Sequence, residues 1–83
     1  MPSSNLSVGY SAHVQLELRV GGLRFPLAQI GGDRLVFDKP VVLPGTTGEV
    51  RARIDEHEER FAATWPASAL PRDVLRAELR FLG

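Results

Sequence analysis

Gly21-Gly22 stands between two runs of alternating residues, and this arrangement restricts the chain more than any other feature in it. Before the pair, Val14, Leu16, Leu18 and Val20 fall on one side, and His13, Gln15, Glu17 and Arg19 on the other. That is the period of a half-buried strand. Two glycines accept positive φ at both central positions of a two-residue hairpin turn. Such a turn sets Val20 opposite Leu23, Leu18 opposite Phe25 and Leu16 opposite Leu27, apolar against apolar on one face. Turn chemistry and alternation thus predict the same register independently. Pro26 falls opposite Glu17 at a non-hydrogen-bonded pair, where its missing N–H does no harm to the hairpin. The far side of that second strand must then be an edge, a bulge or an interrupted pairing.

The rest of the chain repeats this grammar. Ile30-Gly31-Gly32-Asp33 reads as a turn, Arg34 to Phe37 as a short strand, Asp38-Lys39-Pro40 as a break and Val41-Val42-Leu43 as a short extended segment. Pro44-Gly45-Thr46-Thr47-Gly48 is a loop. Glu49 to Ile54 alternates with Val50, Ala52 and Ile54 inward. Asp55-Glu56-His57-Glu58 reads as a polar turn and Glu59 to Trp65 as the returning strand. Ile54 then faces Glu59, Ala52 faces Phe61, Val50 faces Ala63 and Gly48 faces Trp65, large side chains against small ones. Between Val74 and Leu82 the alternation returns, with Leu75, Ala77, Leu79 and Phe81 on one face. A helix over Arg72 to Leu82 competes, because Leu75, Leu79 and Leu82 also fit helical spacing, but the unbroken alternation favours a strand. The expected fold is all-β: a small barrel or sandwich of six or seven short, mainly antiparallel strands joined by hairpins. Residues 1–11, polar and Ser-rich, read as a flexible lead-in, and 12–83 as a single small β domain.

Composition narrows the function classes. The chain has 83 residues, 10 Lys plus Arg against 10 Asp plus Glu, and no Cys. Disulfides, thiolate metal sites and Cys nucleophiles are excluded together. The charge balance argues against a dedicated nucleic-acid or anionic-membrane binder. A domain this small, without disulfide or metal, is expected to be marginal alone or helped by oligomerisation. Met1-Pro2-Ser3-Ser4-Asn5 lacks the basic and long apolar segments of a signal peptide, and no apolar run approaches a membrane span, so the expected location is the cytoplasm. Lys39 is the one lysine among the cations; such an arginine bias reflects either GC-rich coding or a use for planar, bidentate cations.

The candidate chemistry is sparse. Asp55-Glu56-His57-Glu58-Glu59 gathers one His and four carboxylates, but a hairpin tip splays neighbouring side chains, so a solvated acidic turn is expected rather than a metal site. Ser3, Ser4, Ser7 and Ser11 sit in the lead-in and Ser68 in a loop, none in a nucleophile-elbow context. Gly21-Gly22 and Gly31-Gly32 introduce no helix and so make no phosphate cradle. Phe25, Phe61, Trp65 and Phe81 fall in the inward phase, Phe37 joins them, and Tyr10 is the uncommitted aromatic. No enzyme and no cofactor is expected.

Arginines make the one non-trivial constellation. The first register sets Arg19 opposite Arg24 and the second sets Arg53 opposite Arg60, on the outer face. Like charges in direct cross-strand pairs are mildly unfavourable, and two such pairs point to an anion or acidic-partner surface, unless Glu17, Asp55, Glu58 and Glu78 neutralise them as diagonal neighbours.

From Leu23 to Trp65 the layout resembles a PilZ domain, a small bacterial β-barrel that in many members binds cyclic di-GMP. The likeness lies in Ile30-Gly31-Gly32-Asp33-Arg34-Leu35 and in Leu43-Pro44-Gly45-Thr46-Thr47-Gly48-Glu49-Val50 leading into a long hairpin. The family's Arg-x-x-x-Arg lead-in and Asp/Asn-x-Ser-x-x-Gly motif are missing: Met1 to Ser11 holds no Arg, and Gly31 to Leu35 has neither the Ser nor the final Gly. The resemblance implies a barrel and assigns no ligand residues. The expected function is a non-enzymatic β-domain acting through contacts with a protein partner or with itself. An anion- or nucleotide-binding module using Arg19, Arg24, Arg53 and Arg60 is the alternative.

Overall fold

The computed structural model describes residues 14–83. The predicted lead-in, with Tyr10 and His13, lies outside them. Seven strands follow in chain order: β1 (Val14–Val20), β2 (Leu23–Ile30), β3 (Arg34–Val41), β4 (Thr47–Ile54), β5 (His57–Thr64), β6 (Arg72–Arg76) and β7 (Glu78–Phe81). They form one curled, antiparallel half-barrel in the order β6-β3-β2-β1-β4-β5-β7. The fold is therefore all-β, and residues 72–81 are strand rather than helix. Among the described residues no helix is long and apolar enough to cross a membrane.

Two strands turn the corners. The first half of β2 pairs with β1 and its second half with β3. The switch falls at Pro26 and at Ala28, the extra residue of a bulge where Leu27 and Gln29 face Phe37 and Val36. A proline without a donor and a bulge that bends the strand are what allow one strand to serve two partners. The second corner is Ala77, the one residue between β6, which pairs with β3, and β7, which pairs with β5. The Ala77 N–H donates to the Asp33 carbonyl at 2.9 Å, so the strand leaves β3 at the point where the β2–β3 turn begins.

The first hairpin has the expected register. Glu17, Leu18, Arg19 and Val20 face Pro26, Phe25, Arg24 and Leu23, with Gly21 and Gly22 at φ of 56° and 90°. The ladder stops at Glu17–Pro26, so the expected pairing of Leu16 with Leu27 does not form; β2 has begun to turn its corner there.

The second hairpin departs from expectation by two residues. Its turn is Asp55-Glu56 alone, with Asp55 at φ 56°, and β5 begins at His57 rather than Glu59. Ile54 faces His57, Ala52 faces Glu59, Val50 faces Phe61 and Gly48 faces Ala63. A slip of two keeps every side chain on its expected face, because the period of a strand is two. β3 also differs: it continues through Asp38-Lys39-Pro40, but its ladder with β6 jumps from Val36–Val74 to Val41–Arg72, so those three residues bulge out of the pairing.

The core lies on the inner face and draws on both ends of the sheet. Leu18 and Val50 are fully buried from one side and Leu35 from the other. Phe25 meets Phe37 edge-on, with ring centroids 6.5 Å apart. Trp65 seals one end: its backbone N–H donates to the Thr46 carbonyl at 2.9 Å and its indole N–H to the Gly45 carbonyl at 2.6 Å. Gly48 makes this possible. A Cβ there would stand 2.6 Å from the Arg19 carbonyl oxygen and 3.0 Å from the Trp65 ring.

Four residues expected inside are on the surface, among them Leu23 beside the Gly21-Gly22 turn, 55% exposed. Val14 is 53% exposed and its partner Ile54 43%, because β1 and β4 run on together past the point where β2 turns away. Phe81 is 59% exposed, because among the described residues no strand lies beyond β7.

Candidate functional site

Two surfaces stand out among the described residues: the charged outer face of β2-β1-β4-β5, and the free edge of β7.

The outer face is built by alternation. One row across the sheet reads Arg24, Arg19, Glu49, Ala62, Arg80; the next reads Pro26, Glu17, Arg51, Arg60; a third reads Gln15, Arg53, Glu58. Arg19 does face Arg24, as the first register requires. Arg53 does not face Arg60: with the turn two residues shorter, Arg53 faces Glu58 and Arg60 faces Arg51. All four candidate arginines nonetheless share this face. Glu49, an acid that alternation places outward, and Arg51 bind it together; Arg51 was not singled out from the sequence, although alternation already assigns it outward beside Val50 and Ala52.

The carboxylates interleave. Glu17 accepts a hydrogen bond from the Arg19 Nε at 2.5 Å. Glu49 takes Arg60 at 3.2 Å and Arg51 at 3.6 Å, and Arg51 also reaches Glu58 at 3.7 Å. These pairs are part-exposed and each is worth little alone. The Arg51 Nε is buried without a hydrogen-bond partner, a local cost of holding this side chain between two carboxylates. Among the described residues Arg24 is in no ion pair, and Arg53 stands opposite Glu58. Both line an open depression where β1 and β2 diverge, together with Arg51, Glu58, Leu16 and Leu27.

At the tip of the second hairpin, His57 Nε2 lies 3.2 Å from Glu59 Oε2, two residues along the same face of β5. Among the described residues no three His, Asp or Glu side chains gather as metal ligands would.

The β7 edge is defined by its hydrogen bonds. Leu82 N–H donates to the Arg60 carbonyl at 2.8 Å and Arg60 N–H to the Gly83 carbonyl at 2.9 Å. Backbone groups alternate in direction along a strand, so Glu78 and Arg80 also turn theirs toward β5. Ala77 turns its N–H the opposite way, to Asp33. Leu79 and Phe81 share the phase of Ala77, so their N–H and C=O groups point off the free edge of the sheet. Beside them the Phe81 ring packs edge-on against Phe61, with centroids 5.4 Å apart, and leaves most of its surface to solvent.

No protein-family model, curated protein or solved structure matches this chain.

Proposed function

We propose that the chain is a small non-enzymatic β-domain that acts through protein contacts, with the free edge of β7 as its contact element. The observation that carries this reading is the coincidence, on one strand, of the exposed Phe81 ring with backbone groups at Leu79 and Phe81 that no described strand pairs. An open edge is a template for an extended partner, and domains that need no partner blunt such edges with proline, lysine or a cover. β7 has neither residue; it is four residues long and carries Glu78 and Arg80 on its outer face.

The second reading is a PilZ-like anion- or nucleotide-binding module at the opening between β1 and β2. It is favoured by Arg24, which is in no ion pair among the described residues, and by Arg53, which lines the same depression. One experiment separates the two. Cyclic dinucleotides and short single-stranded nucleic acid are titrated at low salt against wild type and Arg24→Ala, while amide exchange is followed at Leu79 and Phe81. The protein-contact reading expects no anion binding up to millimolar ligand, and Leu79 and Phe81 amides that exchange fast in the isolated chain, as an uncovered edge requires. Saturable binding that Arg24→Ala abolishes overturns it in favour of the anion module.

A further inference from the structure

We propose that the depression between β1 and β2 takes an acidic, extended segment of a partner protein, bound along the stretch of β1 that β2 leaves open. The proposal rests on the protein-contact reading and adds to the β7 edge a second contact element, with a partner of stated chemistry.

Three kinds of group meet in the depression. The first is backbone. Glu17 and Pro26 form a non-hydrogen-bonded pair, so Leu18 bonds to Phe25, and the next residue turned toward β2 is Leu16. The ladder ends before it, and the N–H and C=O groups of Leu16 and Val14 face a gap that no described strand fills. The second is charge. Arg19, Arg24, Arg51 and Arg53 line the depression against two carboxylates, Glu17 and Glu58, in a chain whose formal net charge is zero. Glu17 is held by Arg19 and Glu58 by Arg51. The positive excess therefore falls on Arg24, in no ion pair among the described residues, and on Arg53, whose facing carboxylate Arg51 already engages. The third is apolar surface, from Leu16, Leu27 and Pro26.

An extended acidic segment answers all three. Its main chain offers both donors and acceptors to Leu16 and Val14. A side chain opposite Leu16 points inward, onto Leu16 and Leu27, and its two neighbours point to the outer face, where carboxylates meet Arg24 and Arg53. A small anion answers only the charge. Fully ionised, it accepts hydrogen bonds but gives none, and so leaves the β1 carbonyls without a donor. Nucleic acid lacks its usual platform, because none of the residues lining the depression is aromatic. The open stretch of β1 is short and the arginines are exposed, so the contact is weak, rapidly exchanging and sensitive to salt.

The probe is a capped synthetic peptide of alternating Glu and Val, titrated at low salt beside the same peptide with Gln for Glu and beside a cyclic dinucleotide. The Glu-Val peptide should saturate below millimolar and slow amide exchange at Leu16. Its binding should fall at least tenfold with the Gln peptide, and at least tenfold in the double variant Arg24→Ala, Arg53→Ala. Both arginines are exposed, so that variant should melt as wild type does. In Arg24→Glu, Arg53→Glu the preference should pass to a Lys-Val peptide. Failure of the Glu-Val peptide to saturate at millimolar concentration overturns the proposal, as does binding that ignores the arginine variants. Slowed exchange at Leu79 and Phe81 with Leu16 unchanged moves the peptide to β7, which overturns the proposal and leaves the protein-contact reading standing. Saturable binding of the cyclic dinucleotide, lost in Arg24→Ala, is the separate result that overturns the reading beneath it.

Discussion

The two long hairpins reach the same geometry by different means. In the β1–β2 hairpin the instruction sits in the turn: Gly21 and Gly22 both have positive φ, and nothing lies within 4 Å of where their Cβ atoms would be. In the β4–β5 hairpin the turn is Asp55-Glu56, with positive φ at one non-glycine residue, and the instruction sits seven residues before Asp55, in the strands. There Gly48 lets β4 approach β1 and lets the Trp65 ring lie across it. Register can be set by what a turn permits or by what a strand leaves out, and the two respond differently to substitution.

The sharpest way to break this contrast is Gly48→Val. A branched side chain would meet the Arg19 backbone carbonyl, which cannot move without moving β1. The expected loss is about 3 kcal/mol or more, read as the midpoint of urea unfolding. Next is Gly21→Ala with Gly22→Ala. Both positions have open space but left-handed backbone, so only conformational strain is added, about 1–2 kcal/mol for each residue. Asn at position 21 with Gly22 kept should recover most of that loss in a thermal melt. Asp55→Val should cost about 1–2 kcal/mol, since a β-branched residue tolerates φ near 56° poorly, and Asp55→Asn much less. An equal response to the Gly21/Gly22 and Asp55 changes would show that the two turns carry the same weight and would remove the contrast. The smallest effect is Glu49→Gln, which weakens the pairs with Arg51 and Arg60. On a part-exposed face it should lower stability by less than about 1 kcal/mol, and the difference from wild type should vanish in high salt.

The same contrast explains what was legible in the sequence. The first register was readable because Gly-Gly between alternating runs has one favoured hairpin geometry. The second was not, because Asp55, Glu56, His57 and Glu58 are all polar and none forces a positive φ by itself. Faces survived that error and partners did not: Arg53 kept its side of the sheet but exchanged Arg60 for Glu58. Pro26 announced the first corner through its missing donor. Ala77 announced nothing, since alternation continues through it while the strand changes neighbours. Phe81 shows a related limit. Periodicity gives a side chain its face, but whether another strand lies beyond it is decided by topology, and so an inward-phase phenylalanine ends up on the surface.

The corner at Ala77 also bears on how the domain folds. Each hairpin joins residues close together in the chain and can form locally, within microseconds. Closing the half-barrel is different in kind: the Asp33–Arg76 contact beside Ala77 spans 43 positions, and that loop entropy is lost before β6 and β7 can bond to their separate neighbours. The folding barrier is therefore set where one strand must dock on two partners at once, and a larger residue at Ala77 should slow folding more than a change in either turn. A buried alanine with no chemistry of its own would then be the position that governs how fast the native state is reached.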